Sequence, residues 1–187
     1  MKYFKKLVGE RIYLSPRNPE DAETFTCWLN DFNTTDYLGR SHMLYTLNAE
    51  KEYLENSGKN SFGFGIVTLD DDKLIGTVSL EEINNINRTA TLGIFIGDDN
   101  YRNDGYGTEA IKLILDFGFN YLNLNNIKLD LLSFNERAEK CYKKCGFKEY
   151  GRRRKCVFLN GKYYDKIAMD ILAEEFNETF IKNKNIK

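Results

Sequence analysis

The feature that most constrains this chain is a change of hydrophobic period at a glycine-bearing junction. Over residues 62–69, 74–80 and 90–96 the apolar residues come in short strand-like runs, separated by the polar turns Asp70-Asp71-Asp72-Lys73 and Asn84-Asn85-Ile86-Asn87-Arg88. Such runs bounded by turn residues predict an antiparallel meander that opens with a β-hairpin. From Gly105 the period becomes helical. Ala110, Ile111, Ile114, Leu115, Gly118 and Leu122 fall on or near one face of a long helix over 105–122. A strand over 127–132 follows, then a helix capped by Asn135 that runs to about Cys145 and stops at Gly146. Residues 148–159 and 163–171 flank Asn160-Gly161, a strong hairpin signal.

Upstream of the meander, residues 11–15 read as a short opening strand. Asn18-Pro19-Glu20-Asp21 reads as a helix start, with an Asn cap, Pro at the first helical position and acids in the first turn. Ala22, Phe25, Leu29 and Phe32 then recur at helical spacing. Residues 30–39 are turn-rich and read as a loop, and a weaker helix over 48–56 should stop near Gly58. The resulting string, β-α-α-β-β-β-α-β-α-β-β, is that of an α/β (α+β) fold with a mixed, mostly antiparallel sheet. At 187 residues the chain is expected to form one domain over 1–173, followed by a polar C-terminal tail over 174–187 with the character of a frayed helix.

Composition narrows the function. With 27 Lys and Arg against 28 Asp and Glu, broad electrostatic binding of nucleic acid or of an anionic membrane is not expected. No apolar run approaches the roughly 18 residues that span a bilayer. The opening Met1-Lys2-Tyr3-Phe4-Lys5-Lys6 lacks the long apolar core and small-residue cleavage site of a signal peptide. Cys27, Cys141, Cys145 and Cys156 show no C-x-x-C spacing, and His42 is the sole histidine, so a metal site is not expected. Free thiols in a reducing cytoplasm are the simpler reading.

The richest stretch is Ile94-Phe95-Ile96-Gly97-Asp98-Asp99-Asn100-Tyr101-Arg102-Asn103-Asp104-Gly105-Tyr106-Gly107-Thr108-Glu109-Ala110. An apolar strand enters a glycine-bearing loop that opens a helix. Helix starts expose unpaired N–H groups and a partial positive charge, and glycine lets the backbone approach a ligand closely. The junction therefore reads as an anion site, and a phosphate suits it. A P-loop is excluded, because Gly107 is followed by Thr108-Glu109 and not by Lys-Ser/Thr. Gly105-x-Gly107-x-x-Ala110, with Asp130 as ribose ligand, matches a dinucleotide fingerprint. Against it stand the long connection after Ile96, the mid-strand position of Asp130 and the antiparallel strands upstream.

Arg102-Asn103-Asp104-Gly105-Tyr106-Gly107 resembles the Arg/Gln-x-x-Gly-x-Gly/Ala loop of the GNAT superfamily of N-acetyltransferases. Downstream, Asn135-Glu136-Arg137-Ala138-Glu139-Lys140-Cys141-Tyr142-Lys143-Lys144-Cys145-Gly146-Phe147 is similar to that superfamily's Asn-x-x-Ala-x-x-x-Tyr-x-x-x-Gly-Phe signature. The similarity extends from about Arg11 to Ile171. It is nearest to the branch of ribosomal-protein N-terminal acetyltransferases and spermidine acetyltransferases. It implies a GNAT-like central sheet with helices on both faces, with acetyl-CoA as co-substrate.

The resemblance also implies roles. Ile94, Phe95 and Ile96 would splay from the neighbouring strand and pair with the pantetheine arm. Backbone amides of Arg102, Asn103, Asp104, Gly105, Tyr106, Gly107 and Thr108 would hold the pyrophosphate. Asn135, a helix cap by its own chemistry, would also touch the arm. Tyr142 would be the general acid, since a phenol with pKa near 10 keeps its proton at neutral pH until a thiolate departs. Relatives often carry Glu where this chain has Thr91. Glu81 and Glu82 end the neighbouring strand, and alternation turns only one of them inward. Glu82 is taken as the base, with Glu81 or a water chain as the alternatives and His42 as a remote one.

The acceptor pocket is expected from the first helix, residues 30–39 and the last hairpin, where Trp28, Tyr37 and Tyr163 read first as packing aromatics. Glu81-Glu82 and Asp98-Asp99 would suit a cationic acceptor. The expected activity is acetyl transfer to a primary amine, such as a protein N-terminus or a polyamine. An amino sugar or aminoglycoside is an alternative, as is a non-catalytic acyl-CoA sensor. Pairing of sheets, or a last hairpin shared between copies, would give a homo-oligomer.

Overall fold

A computed structural model describes residues 1–56, 60–177 and 179–182. Strands β1 (Leu7–Val8) and β2 (Ile12–Pro16) open the chain. The Asn18 side chain then accepts from the Glu20 N–H at 3.0 Å and starts a 3-10 turn, Pro19–Asp21, that leads into α1 (Ala22–Leu29). Two more helices, α2 (Phe32–Leu38) and α3 (Leu47–Asn56), precede the meander β3 (Phe62–Thr68), β4 (Leu74–Asn84) and β5 (Thr89–Ile96). The second half is α4 (Tyr106–Asn120), β6 (Asn126–Leu132), α5 (Glu136–Lys144), β7 (Lys148–Leu159) and β8 (Lys162–Leu172). Asn160 and Gly161 both take positive φ, 48° and 75°, which is what the tight β7–β8 turn requires.

The strands form one sheet in the order β1-β2-β3-β4-β5-β6-β8-β7. Its neighbours are antiparallel except β5 and β6, which are parallel because α4 crosses over between them. That pairing covers only Thr89–Asn126, Ala90–Ile127 and Thr91–Lys128. Beyond it β5 stays on β4 as far as Ile96, and β6 stays on β8 as far as Leu132. The sheet is therefore split by a V.

Helices cover both faces. Ile12, Leu14, Ile66, Val78 and Leu80 face α4, whose Ile111, Ile114 and Leu115 are fully buried. Gly118 sets the closeness of that contact, because a Cβ there would lie 2.8 Å from Ile127 Cδ1. On the opposite face, Tyr13, Val67 and Leu74 pack with Phe25 of α1 and Leu54 of α3.

Three expectations need correction. Residues 30–39 are not an open loop: Asp31 caps α2 through the Asn33 N–H, and Gly39 (φ 66°) ends it. The cap interrupts the helical register after Leu29, so Phe32 does not continue the buried stripe and is 66% exposed. The tail is not a polar appendage as far as it is described. Phe176, Phe180 and Ile181 pack on the main core, and the Lys182 N–H bonds the Val8 carbonyl at 2.8 Å. The predicted stop at Gly58 lies outside the described residues.

Buried Asp116 of α4 anchors the tail by accepting from the Phe180 and Ile181 N–H groups at 2.6 and 3.0 Å. Asp116→Ala strands those two donors. It should lower the unfolding free energy in urea by about 2–3 kcal/mol and expose the tail to limited proteolysis; an unchanged midpoint would show that the anchor contributes nothing.

Candidate active site

The V between β5 and β6 opens a cleft of about 1410 Å³. That is more than the roughly 300–1,000 Å³ of an ordinary small-molecule pocket, and leaves room for two ligands. Leu92–Ile96 of β5 form one wall and Asp130–Leu132 of β6 the other. Backbone groups on the β5 edge facing the V have lost their strand partner, so they are open to a ligand that extends along it.

At one end lies the start of α4. Gly105 takes φ 84°, and the first intrahelical bond runs from the Glu109 N–H to the Gly105 carbonyl at 3.0 Å. The preceding amides have no partner within the helix. Gly105, Gly107, Thr108, Asn103 and Arg102 line the cleft. Asp104 and Tyr106 do not. Asp104 is exposed and its carbonyl accepts from Arg11 Nη1, while the Tyr106 ring packs edge-on to Tyr101 and under the Arg11 guanidinium. Glu109 fixes this end by accepting from the Glu10 and Arg11 N–H groups at 2.7 and 2.9 Å. Arg137, Lys140 and Lys144 of α5 add positive charge to the lining. Amides at a helix start beside three cations suit a pyrophosphate and further phosphate.

The Arg102 side chain is engaged within the protein. Its guanidinium bonds the Ile96 and Gly97 carbonyls at 2.9 and 3.2 Å and Thr34 Oγ1 of α2 at 2.8 Å, and it pairs with Asp99. The side chain thus ties the tip of β5 to α2, and only its backbone remains for a ligand. Asn135 caps α5 by accepting from the Ala138 N–H at 3.2 Å. Its NH₂ bonds to no described residue and lines the cleft.

Tyr142, from α5, lines the cleft beside Cys141. Its ring packs edge-on to Phe147, and its hydroxyl bonds to no described residue. Burial, aided by the adjacent Cys141 and Cys145 sulfurs, pushes the phenol above its ordinary pKa. Hydrogen bonding from Cys145, together with Thr108 Oγ1 at 3.2 Å and the Lys144 and Arg137 charges, holds the Cys141 thiol below its ordinary value. The same contact pushes Cys145 up.

Beyond the phosphate end, alternation along β4 turns Val78 and Leu80 to the α4 core and Thr77, Ser79 and Glu81 to the cleft. Glu81 is thus the inward carboxylate, and Ser79 Oγ donates to it at 2.8 Å. Glu82 sits in a bulge at φ 52°; its 72%-exposed side chain accepts from Thr91 and pairs loosely with Lys128. It does not line the cleft, which corrects the expectation. Of the expected aromatics, Tyr37 lines the cleft, with Arg137 above its ring. Trp28 packs on Phe25 and Phe95, and exposed Tyr163 packs on Phe158. Asp98 pairs with Lys73 instead of facing an acceptor. Among the described residues, no group of three His, Cys, Asp or Glu could hold a metal.

Sequence reasoning missed Arg17, Glu50 and Tyr53, which also line the acceptor side. Arg17 follows β2 and the other two lie on α3, so no local motif links them. Glu50 is 6% exposed, and burial pushes its carboxyl above the usual range against the opposing Arg17 charge.

The GNAT acetyltransferase domain model matches residues 11–148, which include the glycine loop and Tyr142. The chain belongs to the GNAT acetyltransferase family. It is an acetyl-CoA-dependent N-acetyltransferase. It is 34% identical to the "Probable N-acetyltransferase YjcK" of Bacillus subtilis (strain 168) over 175 residues, 89% of this chain and 96% of that one. Its fold is similar to the crystal structure of spermidine N-acetyltransferase from Vibrio cholerae in complex with CoA and spermine, at a TM-score of 0.81 and 28% identity, over 89% and 98% of the two chains. A dodecameric structure of that Vibrio cholerae enzyme aligns at a TM-score of 0.74 and 28% identity, over 89% and 96%.

The lowered Cys141 thiol predicts its reactivity. Alkylation by iodoacetamide should rise with pH through a midpoint below the ~8.5 of a free thiol, and acetyl-CoA should slow it. A midpoint at or above the free value, read by mass spectrometry of the Cys141 peptide, would contradict the arrangement.

Proposed function

We propose that the acetyl group passes directly from acetyl-CoA to a primary amine in the V between β5 and β6, with Tyr142 as general acid. The observation that carries this reading is the convergence on one cleft of the β5 edge beyond its pairing with β6, the α4 start and a phenol that bonds to no described residue. Acetyl-CoA supplies the acyl group and a thiol leaving group. The α4 amides, with Arg137, Lys140 and Lys144, hold its phosphates; the β5 edge and the Asn135 NH₂ orient its arm. A β5 backbone N–H polarises the thioester oxygen as the amine attacks. Tyr142 then gives its proton to the departing sulfur, and the proton that the acetylated nitrogen sheds as it becomes an amide restores the phenol. The phenol keeps its proton at neutral pH, so one is available when thiolate charge develops on sulfur.

Glu81 takes the base role in place of Glu82. It faces the cleft from beside Ser79, opposite Thr91 of β5 in the ladder. From there it accepts, through water, the proton that an ammonium must shed before attack. Glu81 and Glu50 make the acceptor end acidic, which favours an amine arriving as a cation. The Vibrio cholerae spermidine N-acetyltransferase, solved with CoA and spermine, supports a protonated amine as the group acetylated, and its dodecamer supports a homo-oligomer here. Four free cysteines fit a cytoplasmic location.

With saturating acetyl-CoA, thiol release should require an added primary amine. Stabilisation by acetyl-CoA with no release for spermidine, N-terminal peptides or amino sugars would refute catalysis. Tyr142→Phe should lower kcat about 100-fold and leave the KM for acetyl-CoA unchanged. Glu81→Gln should cost more in kcat/KM for the amine than Glu82→Gln, and the loss should shrink as rising pH deprotonates the amine in solution. The reverse order of the two variants would return the base role to Glu82.

A further inference from the structure

The acceptor end of the cleft holds a cation that acetyl transfer does not require. Arg17 leaves β2 on the face shared by Thr77, Ser79 and Glu81. Its Nε donates to Thr77 Oγ1 at 3.1 Å and its Nη1 to the Tyr53 hydroxyl at 3.0 Å. Thr77 is itself fixed, donating to the Phe64 carbonyl at 2.8 Å. The guanidinium lies against the backbone of Gly63, where a Cβ would come within 2.7 Å of Arg17 Cζ. Hydroxyls and a bare backbone therefore hold this group in one orientation. No carboxylate of a described residue lies within ion-pairing distance of it. Glu50 is near enough to feel its charge, yet makes no bond to it.

Two donors remain. Arg17 Nη2 bonds to no described residue, and the Tyr53 hydroxyl, having accepted from Arg17, still has its own proton to give. Together they present adjacent donors to one anionic group. The distance to the reacting centre follows from the strand. Thr77 and Ser79 are successive residues on one face, about 7 Å apart, and Ser79 pairs with Gly93 on the β5 wall.

We propose that Arg17 and Tyr53 read a carboxylate or phosphate on the acceptor, so that the amine acetylated belongs to a molecule that also carries an anion. This rests on the amine-acetylation reading above and names its substrate class. Such a molecule spans the cleft with its amine toward Glu81 and Tyr142 and its anion on the guanidinium. A carboxylate and a phosphate both match the two donors, so the test includes each.

Thiol release should be measured with spermidine and cadaverine as anion-free amines, lysine and β-alanine as carboxylates, and phosphoethanolamine and glucosamine 6-phosphate as phosphates. The native enzyme should favour one anion-bearing set by at least tenfold in kcat/KM over the anion-free amines. Arg17→Met should collapse that ratio through the KM of the anion-bearing acceptor. Tyr53→Phe, which keeps the exposed ring and removes one hydroxyl, should reduce the same ratio several-fold and guards against misfolding of the first variant. A native preference for the anion-free amines, or a ratio unchanged in both variants, would overturn the proposal. Thermal stabilisation of the CoA complex by the same compounds separates the two readings. Arg17-dependent stabilisation without thiol release would refute amine acetylation and keep the anion site, whereas release that ignores Arg17 would do the opposite.

Discussion

Three residue pairs join β5 to β6, and the site depends on the pairing ending there. Had the ladder continued, the β5 edge would be closed by main-chain bonds and no ligand could run along it. Each strand diverges without losing its other neighbour: β5 remains on β4 and β6 on β8. Helix α2 bridges the gap at the open end. Its Thr34 is tied to the tip of β5 through Arg102, while Gly39 at its end sits against Leu132 of β6. The V is held open by a packed helix and a half-buried arginine, so the strand ends cannot close back on one another.

The second requirement is that the start of α4 meet that opening. Glu109 fastens the first turn of α4 to the β1–β2 turn through backbone N–H groups, and Gly118 lets the helix body lie close against the sheet. A carboxylate in the first turn also complements the helix dipole. Charge then separates along the cleft, with Arg137, Lys140 and Lys144 near the helix start and Glu50 and Glu81 at the far end. That gradient suits the proposed arrangement, with a polyanionic cofactor at one end and a cationic amine at the other. Arg17 is the exception to that gradient, held apart by Thr77 and Tyr53.

Much of this was legible in the chain. The 15-residue α4, the Asn135-capped α5 and the Asn160-Gly161 hairpin are written in local chemistry: a helical period, a side chain that satisfies a helix-start N–H, a turn that needs positive φ twice. The errors fell where a neighbour decided. Residues 30–39 look turn-rich, yet Asp31 supplies a cap and Gly39 a stop, and contact with β6 makes the short helix worthwhile. The tail looks polar, yet three of its apolar residues and the carboxylate of Asp116 dock it. Glu82 was preferred to Glu81 because the position of the bulge, and so the phase of alternation, is set by pairing with β5.

The sequence by itself determined the order of elements, the helix start that exposes unpaired amides, and the phenol seven residues after an Asn cap, because each depends on contacts within one turn or one hairpin. Only the tertiary structure decided where β5 leaves β6, which carboxylate faces the cleft, that the Arg102 side chain is a tie, and that Arg17 meets Tyr53 and Thr77 across 36 and 60 residues of chain. Those outcomes are choices among non-local partners. No local preference encodes them, since the free energy that selects them comes from packing the whole sheet against its helices.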